Sequence, residues 1–333
     1  MDPHNPTIVS PVAGNPSHVG ILLLPGFSLM AYAATVEPLR SANLMRGQEL
    51  YRWTHLSPEG GAVESSGRLP VATTALPDLE ALPDLVMLCG GLGAETYRHR
   101  LLPPFLRRMR GKGRLIGAVS TASFILARAG LLRGHRCTVH WDYRSAFVEA
   151  FPDLEVCSEL FVVDRGIGTC AGGVAAMDMM LHLIRERHGS ALSALIADQF
   201  IHGTLRQPRE RQRMALQHRL DTSSPQVAHA VALMEAHIEA PLSVAAIAAR
   251  VKLSGRQLER LFRGAFDVAP ARYYLNLRLD EARKLLRLST LSITDIAVAT
   301  GFVSTSHFAK SYRLYTGHAP RHERRKLGQA VGR

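Results

Sequence analysis

The sequence predicts an α/β domain followed by an all-α domain. Three observations support this. Apolar, strand-like runs alternate with helical patterns over the first two hundred residues. A helical unit occurs twice in the last hundred. The excess positive charge of the chain falls entirely in the second part.

The elements follow in order. Residues 1–17, rich in Pro, Asn and Ser, read as a flexible tail and not as a signal peptide, having no basic stretch ahead of an apolar one. The apolar run at 18–24 reads as a buried strand ending at Pro25-Gly26, with a helix over 29–45 behind it. Further strands are expected at 52–56, 85–89, 115–119, 137–140 and 161–163. Helices are expected at 103–110, 122–129, 141–150 and 174–187. Such alternation gives a flavodoxin-like, mostly parallel sheet with helices on both faces, whose ligands sit beyond the carboxyl ends of the strands.

At 333 residues there is room for two cores. An apolar fraction of 47% and a charged fraction of 20% are ordinary for a globular protein. No apolar run approaches the roughly 18 residues that span a bilayer, so no membrane partner is expected. Cys89, Cys137, Cys157 and Cys170 are widely spaced without a CxxC pair. That suits a reduced cytoplasm and implies no disulfide framework, no metal site and no cofactor.

Residues 206–333 carry 22 Lys and Arg against 10 Asp and Glu, whereas residues 1–205 carry 18 of each. A basic half beside a neutral one points to a polyanion partner, although a solvated basic face has the same composition. A basic linker is expected over 204–223, and from 224 to 327 the pattern is helical throughout.

In that half, residues 242–270 lay over 291–320. Each copy opens with Leu-Ser and a short Ile-Ala helix, reaches a Ser that starts a second helix, and closes at Ala-Pro. The second copy is one residue longer in its turn. Ser254 with Gln257 forms a capping box, Ser292 with Asp295 resembles one, and Ser304 can cap the last helix. Ile247, Ala248, Val251, Leu253, Leu258, Leu261 and Phe262 supply one core face; Ile296, Ala297, Phe302, Phe308 and Tyr312 supply the other. Arg256, Gln257, Arg260, Thr305, Ser306 and Lys310 are left outward as candidate DNA contacts. The helix expected over 271–288 would span about 27 Å and hold the two readers near one major-groove repeat.

The motif Asp295-Ile296-Ala297, Gly301-Phe302, Ser306-His307-Phe308, Tyr312, Gly317 and Pro320 resembles the AraC/XylS family signature over about residues 224–327. The resemblance implies transcriptional regulation, usually activation, with double-stranded promoter DNA and RNA polymerase as partners.

In the first half, Gly117 to Ala122 follows a strand and opens a helix, where a nucleophile elbow would sit. Glu37 is expected to open the first helix, and His140-Trp141 to end another strand. With the apolar run ending in Pro25-Gly26-Phe27, Glu37-Pro38-Leu39, Cys89-Gly90-Gly91, Gly130 to Gly134 and Gly168 to Gly173, the domain resembles the ThiJ/PfpI class of glutamine-amidotransferase-like (GATase1-like) folds over about 18–200. Enzymes of that class hold cysteine at the elbow; here Ser120 stands there. A serine hydroxyl needs an oriented His–acid pair, and no GxSxG surrounds it.

The expected reading is therefore a retained pocket without catalysis, an effector-sensing domain over 18–203. Its candidate ligand residues are Phe27, Glu37, Gly91, Ser120, Thr121, His140, Trp141 and Gly172. The alternative is an amidase or hydrolase using Ser120 that also binds DNA. The two halves in this order resemble the GlxA-type branch of AraC-family regulators, particularly members responding to glycine betaine, dimethylglycine or carnitine. That resemblance implies aromatic walls such as Trp141 or Phe27 for a quaternary ammonium, a helix N-terminus at the elbow for its carboxylate, and a cytoplasmic homodimer. Residues 328–333 form a tail.

Overall fold

Strand β1 (Ser17–Leu23) is buried on both faces, which is why its sequence is a continuous apolar run and not an alternating one. The computed structural model describes residues 15–212, 220 and 224–324, which divide into a first unit up to Gln212 and a second from Arg213 onward. The tails expected at 1–17 and 328–333 lie almost wholly outside the described residues, as do 213–219 and 221–223 of the expected linker.

In the first unit an eight-stranded sheet runs in the order β3-β4-β2-β1-β5-β6-β10-β9. Its strands are β2 (Tyr51–Ser57), β3 (Gly61–Glu64), β4 (Pro70–Ala75), β5 (Leu85–Cys89), β6 (Leu115–Val119), β9 (Phe161–Asp164) and β10 (Ile167–Cys170) around β1. The centre is parallel and only the two edge pairs, β3–β4 and β9–β10, are antiparallel. Helices α1 (Leu29–Arg46), α5 (Ala175–His188) and α6 (Ser190–Gln199) pack together over Val19, Ile21, Leu23, Met87 and Cys89. Helix α2 (Leu102–Gly111) packs against β6 and against α3 (Ser123–Arg128), outside that cluster. The mostly parallel sheet with helices on both faces is the expected class.

Three local expectations change. The strand expected at 137–140 stops after two residues, as β7 (Arg136–Cys137), which pairs with β8 (Glu155–Val156) outside the main sheet. Thr138 leaves the ladder because its N–H donates to Thr169 Oγ1 and its hydroxyl to the carbonyl of Glu159. Glu37 does not open the first helix: Ser28 caps α1, accepting from the Ala31 N–H, and Glu37 lies mid-helix. The helix expected over 122–129 is the six-residue α3, preceded by a single tight turn at Ser120–Ala122. Between β7 and β8 runs α4 (Arg144–Ala150).

The second unit contains α7 (Pro225–Ala236), α8 (Val244–Arg250), α9 (Gly255–Phe266), α10 (Pro270–Leu288), α11 (Ile293–Ala299) and α12 (Thr305–Thr316), with no strand among its described residues. Helices α8 and α9 form one helix-turn-helix and α11 and α12 the other. Both short first helices begin at a capping serine, Ser243 or Ser292. Helix α10 packs against α7 and α9 and against α11 and α12. Its 19 residues span about 28 Å.

Candidate effector site and DNA-reading surface

The carboxyl ends of β5, β6 and β10 meet at Ser120. Ser120 has φ 62, the left-handed region that a residue with a side chain seldom occupies, and it is nearly buried. The backbone of Gly172 and Gly90 closes on this turn, and that of Gly91 on the neighbouring loop at Gly26. A Cβ on Gly172 would come within 2.7 Å of the Ser120 Cβ, and one on Gly90 within 2.4 Å of the Ala122 nitrogen. One on Gly91 would come within 2.0 Å of the Gly26 carbonyl oxygen. Thr121 Oγ1 donates to the Gly91 carbonyl at 2.6 Å, locking the turn to the end of β5. The strained geometry of an elbow is thus present with serine at its apex.

Two hydrogen bonds hang the 138–140 loop from the same end of the sheet. Ser123, the first residue of α3, donates to the Thr138 carbonyl at 2.9 Å, and Thr138 N–H donates to Thr169 on β10. Beyond them His140 caps a one-turn helix, its Nδ1 accepting the Asp142 N–H at 3.3 Å. In a neutral ring that accepts at Nδ1 the proton sits on Nε2, which then donates. Beside it the half-exposed Trp141 ring lies 5.5 Å from the imidazole, and Tyr143 is 6.1 Å away.

Gly91, Ser120, Thr121 and Gly172 therefore come together, with His140 and Trp141 tethered to that end. Phe27 is no wall of an open site: it is fully buried, edge-on to Tyr32, with its backbone bridged to Ser65 and Gly91. Glu37 is engaged by Arg40 at 2.7 Å on the outer side of α1. Cys89 and Cys170 end the strands flanking β6, and burial pushes both thiols up to about 12, leaving them inert at neutral pH. Among the described residues no group of three or more His, Cys, Asp or Glu could hold a metal ion.

A feature that sequence reading missed is the strap over 202–212. Asp178, fully buried in the first turn of α5, accepts from His202 at 2.9 Å and from Arg206 through Nε at 3.0 Å and Nη2 at 2.6 Å. Farther along, Leu160 N–H donates to the carbonyls of Pro208 and Glu210. At its end Gln212 Nε2 lies 2.9 Å from Thr138 Oγ1, 3.0 Å from the Val139 carbonyl and 2.9 Å from the Glu159 carbonyl. The start of the expected linker is thus fastened to the loop that carries His140. An acidic residue 28 positions before its basic partner gives no pairwise signal in sequence, so only the fold shows it.

In the second unit the two readers share a plan down to single backbone angles. Lys252 (φ 59) and Gly301 (φ 74) occupy the same place in their turns, and Asp267 (φ 57) and Gly317 (φ 81) close their second helices. Both capping boxes are formed, Ser254 with Gln257 and Ser292 with Asp295. Ser304 accepts from the His307 N–H to start α12. Leu258 and Phe262, then Phe308 and Tyr312, turn inward and are buried. Arg256, Gln257, Arg260, Ser306 and Lys310 are exposed and Thr305 half-buried. Gln257 spends its Oε1 on the Ser254 N–H at 2.8 Å, so its part is first that of a cap. Arg256, Arg260 and Lys310 form no ion pair among the described residues, whereas Arg263 is held by Glu259 at 2.9 Å.

The second reader also has an acidic keystone. Glu323, almost fully buried, accepts from His318 at 2.6 Å, from Tyr312 at 3.0 Å and from Arg283 and Arg287 on α10. Burial works to raise its pKa, but the hydrogen bonds from His318, Arg287, Tyr312 and Arg283 outweigh it and hold the carboxyl at about 2. Arg278, also on α10, donates to the Thr300 carbonyl at 2.7 Å and stacks 4.3 Å from the Phe302 ring.

The profile of the DJ-1/PfpI family matches residues 17–186, and that of a helix-turn-helix domain matches residues 247–326. Along almost its whole length the chain is similar to the HTH-type transcriptional regulator GbdR of Pseudomonas aeruginosa, 46% identical over 97% of this chain and 89% of that protein. It belongs to this family of HTH-type transcriptional regulators. In the family the ThiJ/PfpI-like unit is joined to an AraC/XylS-type tandem helix-turn-helix unit. The regulator is also 40% identical to CdhR of Pseudomonas aeruginosa over 92% of this chain and 91% of that one. It is 38% identical to GlxA of Rhizobium meliloti over 94% and 97%. A solved AraC family transcriptional regulator from Pseudomonas putida, 30% identical, covers 56% of this chain and all of its own with a TM-score of 0.51. The regulator is a DNA-binding protein controlled through its amidotransferase-like unit. No helix among its described residues is long and apolar enough to cross a membrane.

Proposed function

We propose that the regulator binds a small zwitterionic metabolite, a quaternary ammonium or amino-acid derivative bearing a carboxylate, beside Ser120. In response it activates transcription from a promoter it reads with both helix-turn-helix units. The observation that carries the first half is the elbow itself. Its strained backbone is kept with a serine hydroxyl at the apex, and the neutral His140 ring, accepting the Asp142 N–H at Nδ1, carries its proton on Nε2 as a donor. The same donor suits a ligand carboxylate, together with the hydroxyl of Ser120. The helix expected to receive that carboxylate is only six residues long and is given no part. Trp141 offers an aromatic face for the cationic end. Phe27 is withdrawn from this role by its burial.

The strap ties that site by hydrogen bonds to the point where the chain leaves the first unit, because Gln212 grips the His140 loop there. Dimerisation of the α/β unit, contact with RNA polymerase and a cytoplasmic location belong to the same proposal. The test is a thermal-shift titration of the full chain with glycine betaine, dimethylglycine and carnitine. One of them should raise the melting temperature, through binding to the native state, and Trp141→Ala should abolish the rise. No shift with any of the three, while a metabolite of another class gives one, contradicts the ligand class. Ser120→Ala should retain DNA binding and most of the response. A hydrolytic turnover present in the wild type and lost in that variant would favour the enzyme reading.

A further inference from the structure

The second reader is one residue longer than the first, and the extra residue is Val303. Leu253 is followed at once by the capping Ser254, whereas its counterpart Phe302 is followed by Val303 before the capping Ser304. Val303 has a relative exposure of 103%, so nothing in the folded unit touches its side chain. Single exposed apolar residues are common, and exposure alone decides nothing. Position does. Val303 immediately precedes the N-terminal end of α12, the end of a second helix that meets base edges when such a motif docks in the major groove. Its neighbours there are Thr305, Ser306 and Lys310, polar or cationic. The other exposed aliphatic side chains of this reader, Val298 and Leu314, lie on α11 and in the last turn of α12, away from that end.

We infer that Val303 is a specificity residue that packs on the C5-methyl group of a thymine, making the second reader select T at one position. In the major groove the thymine methyl is the one apolar feature of the base-pair edges, and a fully exposed branched aliphatic side chain is the matching partner. The first reader has no residue at this place and presents Arg256 and Arg260, whose chemistry fits guanine O6 and N7. The two copies then read different bases with one backbone plan. This inference rests on the proposed placement of α12 against DNA.

The experiment uses the full chain and a duplex selected by it from a random library. Each thymine of the site is replaced in turn by uracil, which removes only the methyl group, and affinity is measured for wild type and Val303→Ser. Wild type should lose about fourfold at one position, the weight of one buried methyl group. Val303→Ser should bind the thymine duplex as wild type binds the uracil one, and lose nothing further at that position. The exposed site makes Val303→Ser safe for folding, which a melting curve verifies. Equal losses in both proteins, no loss at any thymine, or a loss removed by Thr305→Ser instead overturns the inference. Lys310→Ala separates the two levels. If it weakens binding while the thymine coupling is absent, only the inference falls. If it leaves binding unchanged, the placement of α12 falls and the inference with it.

Discussion

The two helix-turn-helix copies match in backbone and differ in what secures them. Each has its capping serine, its left-handed residue in the turn and a second left-handed residue closing the reading helix. In the first copy those left-handed positions are Lys252 and Asp267, with side chains in solvent. In the second they are Gly301 and Gly317. The reason is local crowding at one of them. The turn at Gly301 presses against the loop before α8, where a Cβ would meet the Ile238 carbonyl at 2.5 Å and the Pro241 ring at 2.5 Å. The second reader is moreover clamped to α10 by Arg278 and by the Glu323 cluster, for which the first reader has no counterpart at the matching positions. Backbone plan and surface chemistry are thus separable, and a duplicated unit can acquire a second specificity without changing its fold.

The sharpest way to break the comparison is at the turns. Gly301→Ala should destabilise the second unit by about 3 kcal/mol or more, because backbone atoms and a proline ring cannot move aside as a flexible side chain would. Lys252→Gly, at the same place in the first copy, should change stability by no more than about 1 kcal/mol, on the stabilising side. Chemical denaturation of both variants checks the pair, and equal effects would remove the claimed asymmetry.

Glu323→Gln comes next, at about 2–3 kcal/mol, since it leaves Arg283, Arg287 and His318 without their shared anion. The carboxyl is held at about 2 in the folded unit, below its ordinary value near 4.5. The unfolded chain therefore binds the proton first, and the stabilisation is complete above pH 4.5 and fades as pH falls toward 2. Denaturation midpoints measured down that range should converge for wild type and Glu323→Gln; parallel curves would contradict the assignment.

The smallest effect belongs to the caps. Ser254→Ala and Ser292→Ala should each cost about 1 kcal/mol, nearly equally, because both boxes are complete. Thermal melts that separate the two by much more would show the copies to be less alike than their backbones.

The parts legible in the sequence are those fixed by local pattern. The two helix-turn-helix units follow from helical spacing and capping pairs, and Ile296, Ala297, Phe302, Phe308 and Tyr312 are all buried as that spacing requires. Strands 85–89 and 115–119 were legible because both faces are buried. Strands β3 and β4, at one edge of the sheet, are not: they are short and largely exposed, and neither carries a run of buried apolar residues. Of the candidate effector site, Gly91, Ser120, Thr121 and Gly172 are legible because they lie at the ends of strands. Phe27 is not, since a buried aromatic and a ligand wall look the same in one dimension. The strap was illegible because Asp178–Arg206 and Thr138–Gln212 are contacts between segments far apart in sequence.

One chain carrying two separate readers of duplex DNA should leave two footprints. The measurement is a footprint of the full chain on a selected duplex, with Arg256→Ala and Lys310→Ala beside wild type. Wild type should protect two major-groove segments centred about 10 base pairs apart. Each variant should weaken binding and lower the salt dependence by about one counterion if its side chain meets a phosphate. Arg256→Ala should expose one segment and Lys310→Ala the other. A single protected segment, or protection unchanged in both variants, would contradict the account.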